Sequence, residues 1–106
     1  MGSRMKEENE LIFTAVNIKG HCPVYDLGER TIIKGAEIDL GRSDCVCIHA
    51  LFSLGTFIVA LREGIPPHEL GLAKEEGEKG HFQCLDPGKT LTEGGTVTFE
   101  ITQVRG

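Results

Sequence analysis

Thr96-Val97-Thr98-Phe99-Glu100-Ile101-Thr102-Gln103-Val104 alternates strictly over most of its length, with Val97, Phe99 and Ile101 on one side and Thr96, Thr98, Glu100 and Thr102 on the other. A period of two with β-branched and aromatic residues predicts a strand with one face buried and one face wet. Ahead of it, Glu93-Gly94-Gly95 is a turn signal. Further back, Phe82-Gln83-Cys84-Leu85 reads as a short strand closed by the turn formers Asp86-Pro87-Gly88. Near the other end, Leu11-Ile12-Phe13-Thr14-Ala15-Val16-Asn17-Ile18 is rich in β-formers and only partly alternating, and it reads as the first strand. Lys19-Gly20-His21-Cys22-Pro23 breaks it, because Pro23 removes a backbone donor and holds Cys22 extended. Residues 30–33 and 36–40 read as two short strands around Gly35. The first and last strands are expected to be neighbours.

Between these strands, residues 45–63 predict one helix, with Ser43 or Asp44 as its N-cap and Gly64, Pro66 and Pro67 as its stop. Leu51, Phe52, Leu54, Phe57, Ile58 and Leu61 wrap most of its surface, which predicts a helix buried on more than one side. His49, Ser53 and Thr56 form its polar stripe. From 64 to 80 the composition turns to Gly, Pro and charge, as in an exposed excursion with at most a turn of helix near His68. The whole predicts an α+β domain, a small antiparallel sheet packed on one central apolar helix. Residues 11–106 form that single domain, and residues 1–10 read as a tag (Met1-Gly2-Ser3-Arg4 ahead of Met5) and a disordered start.

The chain has 106 residues, 40% hydrophobic and 25% charged, which suits one globular core and no second. A net charge of −5, one tyrosine and no tryptophan argue against a nucleic-acid partner, since both a basic track and a stacking platform are lacking. The apolar run 46–61 is shorter than the ~20 residues of a bilayer span. No signal peptide is visible, so the expected location is cytoplasmic, with no membrane partner. In a reducing compartment the four cysteines are expected to be thiols, ligands or redox groups rather than disulfides. The glycines form neither a phosphate loop nor a dinucleotide-binding turn, and there is no nucleophile elbow.

The chemistry-bearing residues cluster where elements meet turns: His21-Cys22, Cys45-Val46-Cys47-Ile48-His49, and His81 with Cys84. In the first turn of a helix, free amides and the helix dipole favour a thiolate, the form that binds metal and attacks electrophiles. On a helix that begins early, Cys45 and His49 share a face while Cys47 points elsewhere. If the helix begins late, extended backbone puts Cys45, Cys47 and His49 on one side. Spacing of this kind lacks the paired C-x-x-C knuckles of a zinc module. Cys47 is equally readable as plain core, and His49 as a satisfied core histidine.

Taken in order, Gly20-His21-Cys22-Pro23, Leu27-Gly28-Glu29, His49-Ala50-Leu51, Arg62-Glu63-Gly64, Cys84-Leu85-Asp86-Pro87 and Val97-Thr98-Phe99-Glu100-Ile101 resemble the pattern of a family of short uncharacterised archaeal and bacterial proteins with three recurrent cysteines. That family has one cysteine ahead of its helix where this chain has Cys45 and Cys47, and the favoured equivalent is Cys45. The resemblance implies the fold and a three-cysteine cluster, and it implies no activity.

Three functions follow as expectations. The first is a site for a soft metal ion, zinc for instance, or an iron–sulfur cluster, drawn from Cys22, Cys45, Cys47, Cys84 and His49, with His21 as a further candidate. The second is a thiol redox or nucleophilic enzyme with Cys45 as the reactive thiol, Cys22 or Cys84 as its resolving partner and His49 as base. The third is a non-catalytic interaction domain in which a homodimer covers the apolar helix.

Overall fold

The computed structural model describes residues 9–88, 90–92 and 94–105. The reading of residues 1–8 as a tag, and Glu93 of the predicted turn, lie outside them. Glu10 does not belong to a disordered start, because it opens the first strand and its carboxylate accepts hydrogen bonds from the Arg42 guanidinium at 2.6 and 3.1 Å.

Strand β1 (Glu10–Lys19) lies in the middle of a five-stranded antiparallel sheet. On one side it pairs with β2 (Arg30–Lys34), which pairs with the two-residue β3 (Glu37–Ile38). On the other side it pairs with β5 (Thr96–Val104), which carries β4 (Gly80–Gln83) on its outer edge. The order is therefore β3-β2-β1-β5-β4, with the first and last strands adjacent. The imperfect alternation of β1 has a local cause. The register shifts between Ala15 and Asn17, so Val16 is an extra residue. Leu11, Phe13 and Ala15 face the core before that bulge, and Ile18, opposite Val97, faces it afterwards. A single inserted residue reverses the parity of all that follow.

The long central helix is not formed. Its place is taken by α1 (Ile48–Leu54) and α2 (Phe57–Arg62), two short helices separated at Gly55, whose φ of 48° suits glycine. The break lets α1 lie against β4 while α2 lies against β1 and β5. Neither helix is buried all round. Ala50, Leu54 and Leu61 enter the core, whereas Phe52 is 72% and Ile48 61% exposed. Nor do Ser43 and Asp44 cap a helix. They run along β2, where Ser43 Oγ accepts the Ile32 amide at 2.8 Å and Asp44 Oδ2 accepts the Arg30 amide at 3.0 Å. Those hydrogen bonds draw this stretch along β2, and the helix begins only at Ile48, with Cys47 as its N-cap at φ −121° and ψ 127°.

Aromatic rings make up the centre of the core. Phe13 meets Phe82 edge-on at 5.2 Å, Phe82 stacks on Phe99 at 5.0 Å, and Tyr25 meets Phe99 edge-on at 4.9 Å. Each such pair contributes about 0.5–1.5 kcal/mol beyond the burial of its area. The Tyr25 hydroxyl donates to Thr31 Oγ1, which donates to the Cys45 carbonyl at 2.6 Å. This buried chain ties loop 20–29 to the segment ahead of α1.

At the end of β1, Gly20 (φ 83°) and Gly95 (φ 92°) let two turns meet. A Cβ on Gly95 would sit 2.4 Å from the His21 carbonyl oxygen, inside contact distance, whereas one on Gly28 (φ 87°) would meet nothing within 4 Å. Gly95→Ala is therefore expected to lower unfolding free energy by at least about 2 kcal/mol, and Gly28→Ala by about 1 kcal/mol of backbone strain alone. Urea denaturation of the two variants checks this, and equal losses would contradict it.

Candidate cysteine site

The packing of the Gly20 turn on Gly95 brings loop 20–29 beside the ends of β4 and β5. Between these and the start of α1 lies a cavity of about 710 Å³. Cys22, Cys47 and Cys84, from three separate segments, all line it, and His21, His49 and Asp86 line it as well. Its other walls are mostly apolar, from Val24, Val46, Val97 and Phe99 among others.

Each sulfur is placed by backbone. Pro23 turns the chain so that the Val24 and Tyr25 amides both donate to Cys22 Sγ, at 3.4 and 3.3 Å. Cys84, immediately after β4 and 8% exposed, accepts the Val97 amide at 3.3 Å, and its thiol lies 3.6 Å from the Gly95 carbonyl oxygen. Cys47 comes into the wall because the extended segment ends there and the helix turns away from it. All four cysteines are free thiols.

Cys45 is the exception. Extended backbone does not put Cys45, Cys47 and His49 together, since Cys45 is absent from the cavity wall and its thiol points to Glu29 Oε1 at 3.6 Å. The cysteine ahead of the helix that joins the other two is thus Cys47, where the resemblance favoured Cys45. Cys45 is also two residues short of the first helical turn, so the helix dipole does not act on it as expected. Burial, and then the charge and hydrogen bond of Glu29 with smaller contributions from Asp44 and Cys22, push its thiol up to about 12. A thiol held protonated is a poor nucleophile, which weighs against the expected role of Cys45 as reactive thiol.

His49 is not a core histidine. It is exposed at the cavity rim, while Ser53 of its stripe donates to the Gln83 carbonyl and so fixes α1 to β4. Asp86, read from the sequence only as a turn former, also lines the cavity. Its carboxylate is held below the usual range first by the Thr92 hydroxyl at 2.6 Å, then by the Gly88 amide at 2.8 Å, with a smaller attraction from His49. Its position directly after Cys84 in a tight turn was the only available sequence signal. His81 is exposed and lies 3.6 Å from Glu100, away from the sulfurs. The depression beside it, about 770 Å³, has a mixed lining, and Lys79 and His81 there already face Glu100.

Among the described residues, no group of three or more His, Cys, Asp or Glu side chains is disposed to hold a metal ion. Cys22, Cys47 and Cys84 line one cavity without forming such a group. No helix among the described residues is long and apolar enough to cross a membrane.

Cys45 and Tyr25 share an alkaline consequence. Burial, opposed by the Thr31 hydrogen bond, pushes the Tyr25 hydroxyl up to about 12 as well. Both groups prefer their protonated forms in the folded chain, so their contribution is complete below the unfolded values, about 8.5 for a thiol and 10 for a phenol. It is lost as pH rises toward 12. The unfolding midpoint is expected to fall through that window, and Cys45→Ala is expected to flatten the first part of the fall. Thermal melts between neutral and strongly alkaline pH would show either.

Comparison of the chain with protein-family models, curated proteins and solved structures finds no match, so the functional reading rests on the site itself.

Proposed function

We propose that the chain binds a soft metal centre at Cys22, Cys47 and Cys84, an iron–sulfur cluster in preference to a single zinc ion. The observation that carries this reading is that three cysteines from distant parts of the sequence line one cavity. Soft thiolates select such centres over magnesium or calcium. Amides aimed at Cys22 Sγ and Cys84 Sγ suit sulfurs that carry negative charge, and hydrogen bonds to sulfur are one means by which proteins tune clusters. The preference for a cluster follows from size. A single zinc ion needs its sulfurs at ~2.3 Å around one point, whereas these side chains border a space of about 710 Å³ without converging as an ion site. The resemblance to a three-cysteine family implies the same number of ligands. When bound, such a centre supplies one-electron transfer or a Lewis-acidic iron. The protein would hold it by three thiolates and leave His21, His49 and Asp86 at the rim.

Anaerobic reconstitution with iron and sulfide is the test. Wild-type protein and Cys45→Ser are expected to gain visible charge-transfer absorption with stoichiometric iron. Cys22→Ser, Cys47→Ser and Cys84→Ser are each expected to lose most of it. Wild-type protein that stays colourless, or a Cys45→Ser variant as impaired as the other three, would refute the assignment.

A second reading has its own observation. Phe52 and Ile48, four residues apart on α1, together with Val59 on α2, expose an apolar stripe outward. We propose that a second copy of the chain covers it as a two-fold dimer. Light scattering at micromolar concentration is expected to report a dimer that Phe52→Glu converts to monomer. A monomeric wild type would dismiss this reading without touching the cysteine site.

A further inference from the structure

The volume of the cavity exceeds what its sulfurs need. At about 710 Å³ it falls within the range of sites that hold small organic molecules. That is more than twenty times the ~30 Å³ occupied by a water molecule in the liquid. A metal centre on one wall leaves most of it open.

The chemistry of the walls narrows what can fill the remainder. Pro23, Val24, Val46, Val97 and Phe99 present carbon. The Tyr25 hydroxyl, the one polar group of the aromatic row, is already committed to Thr31. Among the described residues no buried side-chain nitrogen or oxygen lacks a hydrogen-bond partner, so the interior has no unpaired donor or acceptor of that kind to offer. Among the described residues its lining also holds no lysine or arginine. An anionic organic body placed against these carbon walls would lose its hydration and meet no lysine or arginine among the described residues. Polar contact is available only at the mouth, from His21 and His49, which are exposed, and from Asp86, whose charge Thr92 and Gly88 already engage.

We propose that this cavity is a binding site for a small, uncharged, mainly apolar organic molecule, an aromatic or branched aliphatic body with one hydrogen-bonding end directed to the His21–His49 rim. The inference concerns the same cavity as the metal reading but rests on its carbon walls, not on what the sulfurs hold. It assigns Val46, Ala50 and Val97 the role of shaping the occupant. Ala50 matters most, because it is buried on α1 and its small side chain keeps the space open.

The full chain, prepared without metal, is titrated with 4-fluorophenol and separately with 4-fluorobenzoate, with fluorine NMR as the readout. The phenol is expected to bind saturably in the millimolar range, and the benzoate roughly tenfold more weakly or worse, since its charge finds no cation inside. Ala50→Leu is expected to abolish phenol binding by filling the space. Val46→Phe, outside the helices and half-buried, fills it from another side and serves if the first variant does not fold. No saturable phenol binding by the wild type, benzoate binding as tight as phenol, or unchanged binding in a folded filled variant would each overturn the proposal. Iron loading of the same proteins separates the two readings. Phenol binding without any capacity for iron would sink the metal centre alone, and iron loading without phenol binding would sink this inference alone.

Discussion

Nine residue pairs of antiparallel ladder join β1 to β5, and the rest of the molecule hangs from that seam. The two strands are separated by most of the chain, so pairing them closes a long loop at an entropic cost that grows only slowly with length. Once closed, the seam supplies both inner faces of the core: Leu11, Phe13 and Ala15 from one strand and Val97, Phe99 and Ile101 from the other. The bulge at Val16 then turns Ile18 inward opposite Val97, which extends the buried face to the end where the cysteines gather.

The cysteine site is a product of that end of the seam. Gly20 and Gly95 pass within a distance that no side chain tolerates, and their approach sets loop 20–29 beside the segment carrying Cys84. Ser43 and Asp44 arrive from the other side, held by hydrogen bonds to β2, and the chain that follows them delivers Cys47. The Tyr25–Thr31–Cys45 chain of hydrogen bonds locks these two approaches to one another. Buried networks of this kind favour one arrangement, because any alternative strands a polar group without water. Cys45 contributes its carbonyl to this lock while its thiol faces Glu29. Two cysteines only two positions apart thus serve different purposes.

Most of the sheet was legible, and for a simple reason. Where one face of a strand is buried, each residue's side is written in the alternation, and β5 was readable from Val97 to Ile101, although Thr96, expected on the wet face, is buried. The helix was less so. A run of apolar residues from Val46 to Leu61 is compatible with one long helix, and nothing local says that Gly55 must take a positive φ. The break follows from β4, β1 and β5 offering two separate places to pack, and neither place is encoded near Gly55. Similarly, Ser43 and Asp44 have the side chains of helix caps, and hydrogen-bonding capacity alone does not reveal that the edge of β2 would claim them.

Composition, alternation and turn chemistry determined on their own that the chain is an α+β domain with antiparallel strands, and they marked Cys22, Cys47, Cys84 and His49 among the groups to watch. Those are local properties, set by which backbone conformations and faces a few neighbouring residues prefer. Which cysteines meet was decided only in three dimensions. Cys45 and Cys47 are only two residues apart in sequence, yet the thiol of one lies against Glu29 while the other lines the cavity. The cavity, the place of Asp86 on its wall and the outward-facing Phe52 likewise depend on contacts between segments far apart in the chain, and such contacts leave no mark in any single stretch of sequence.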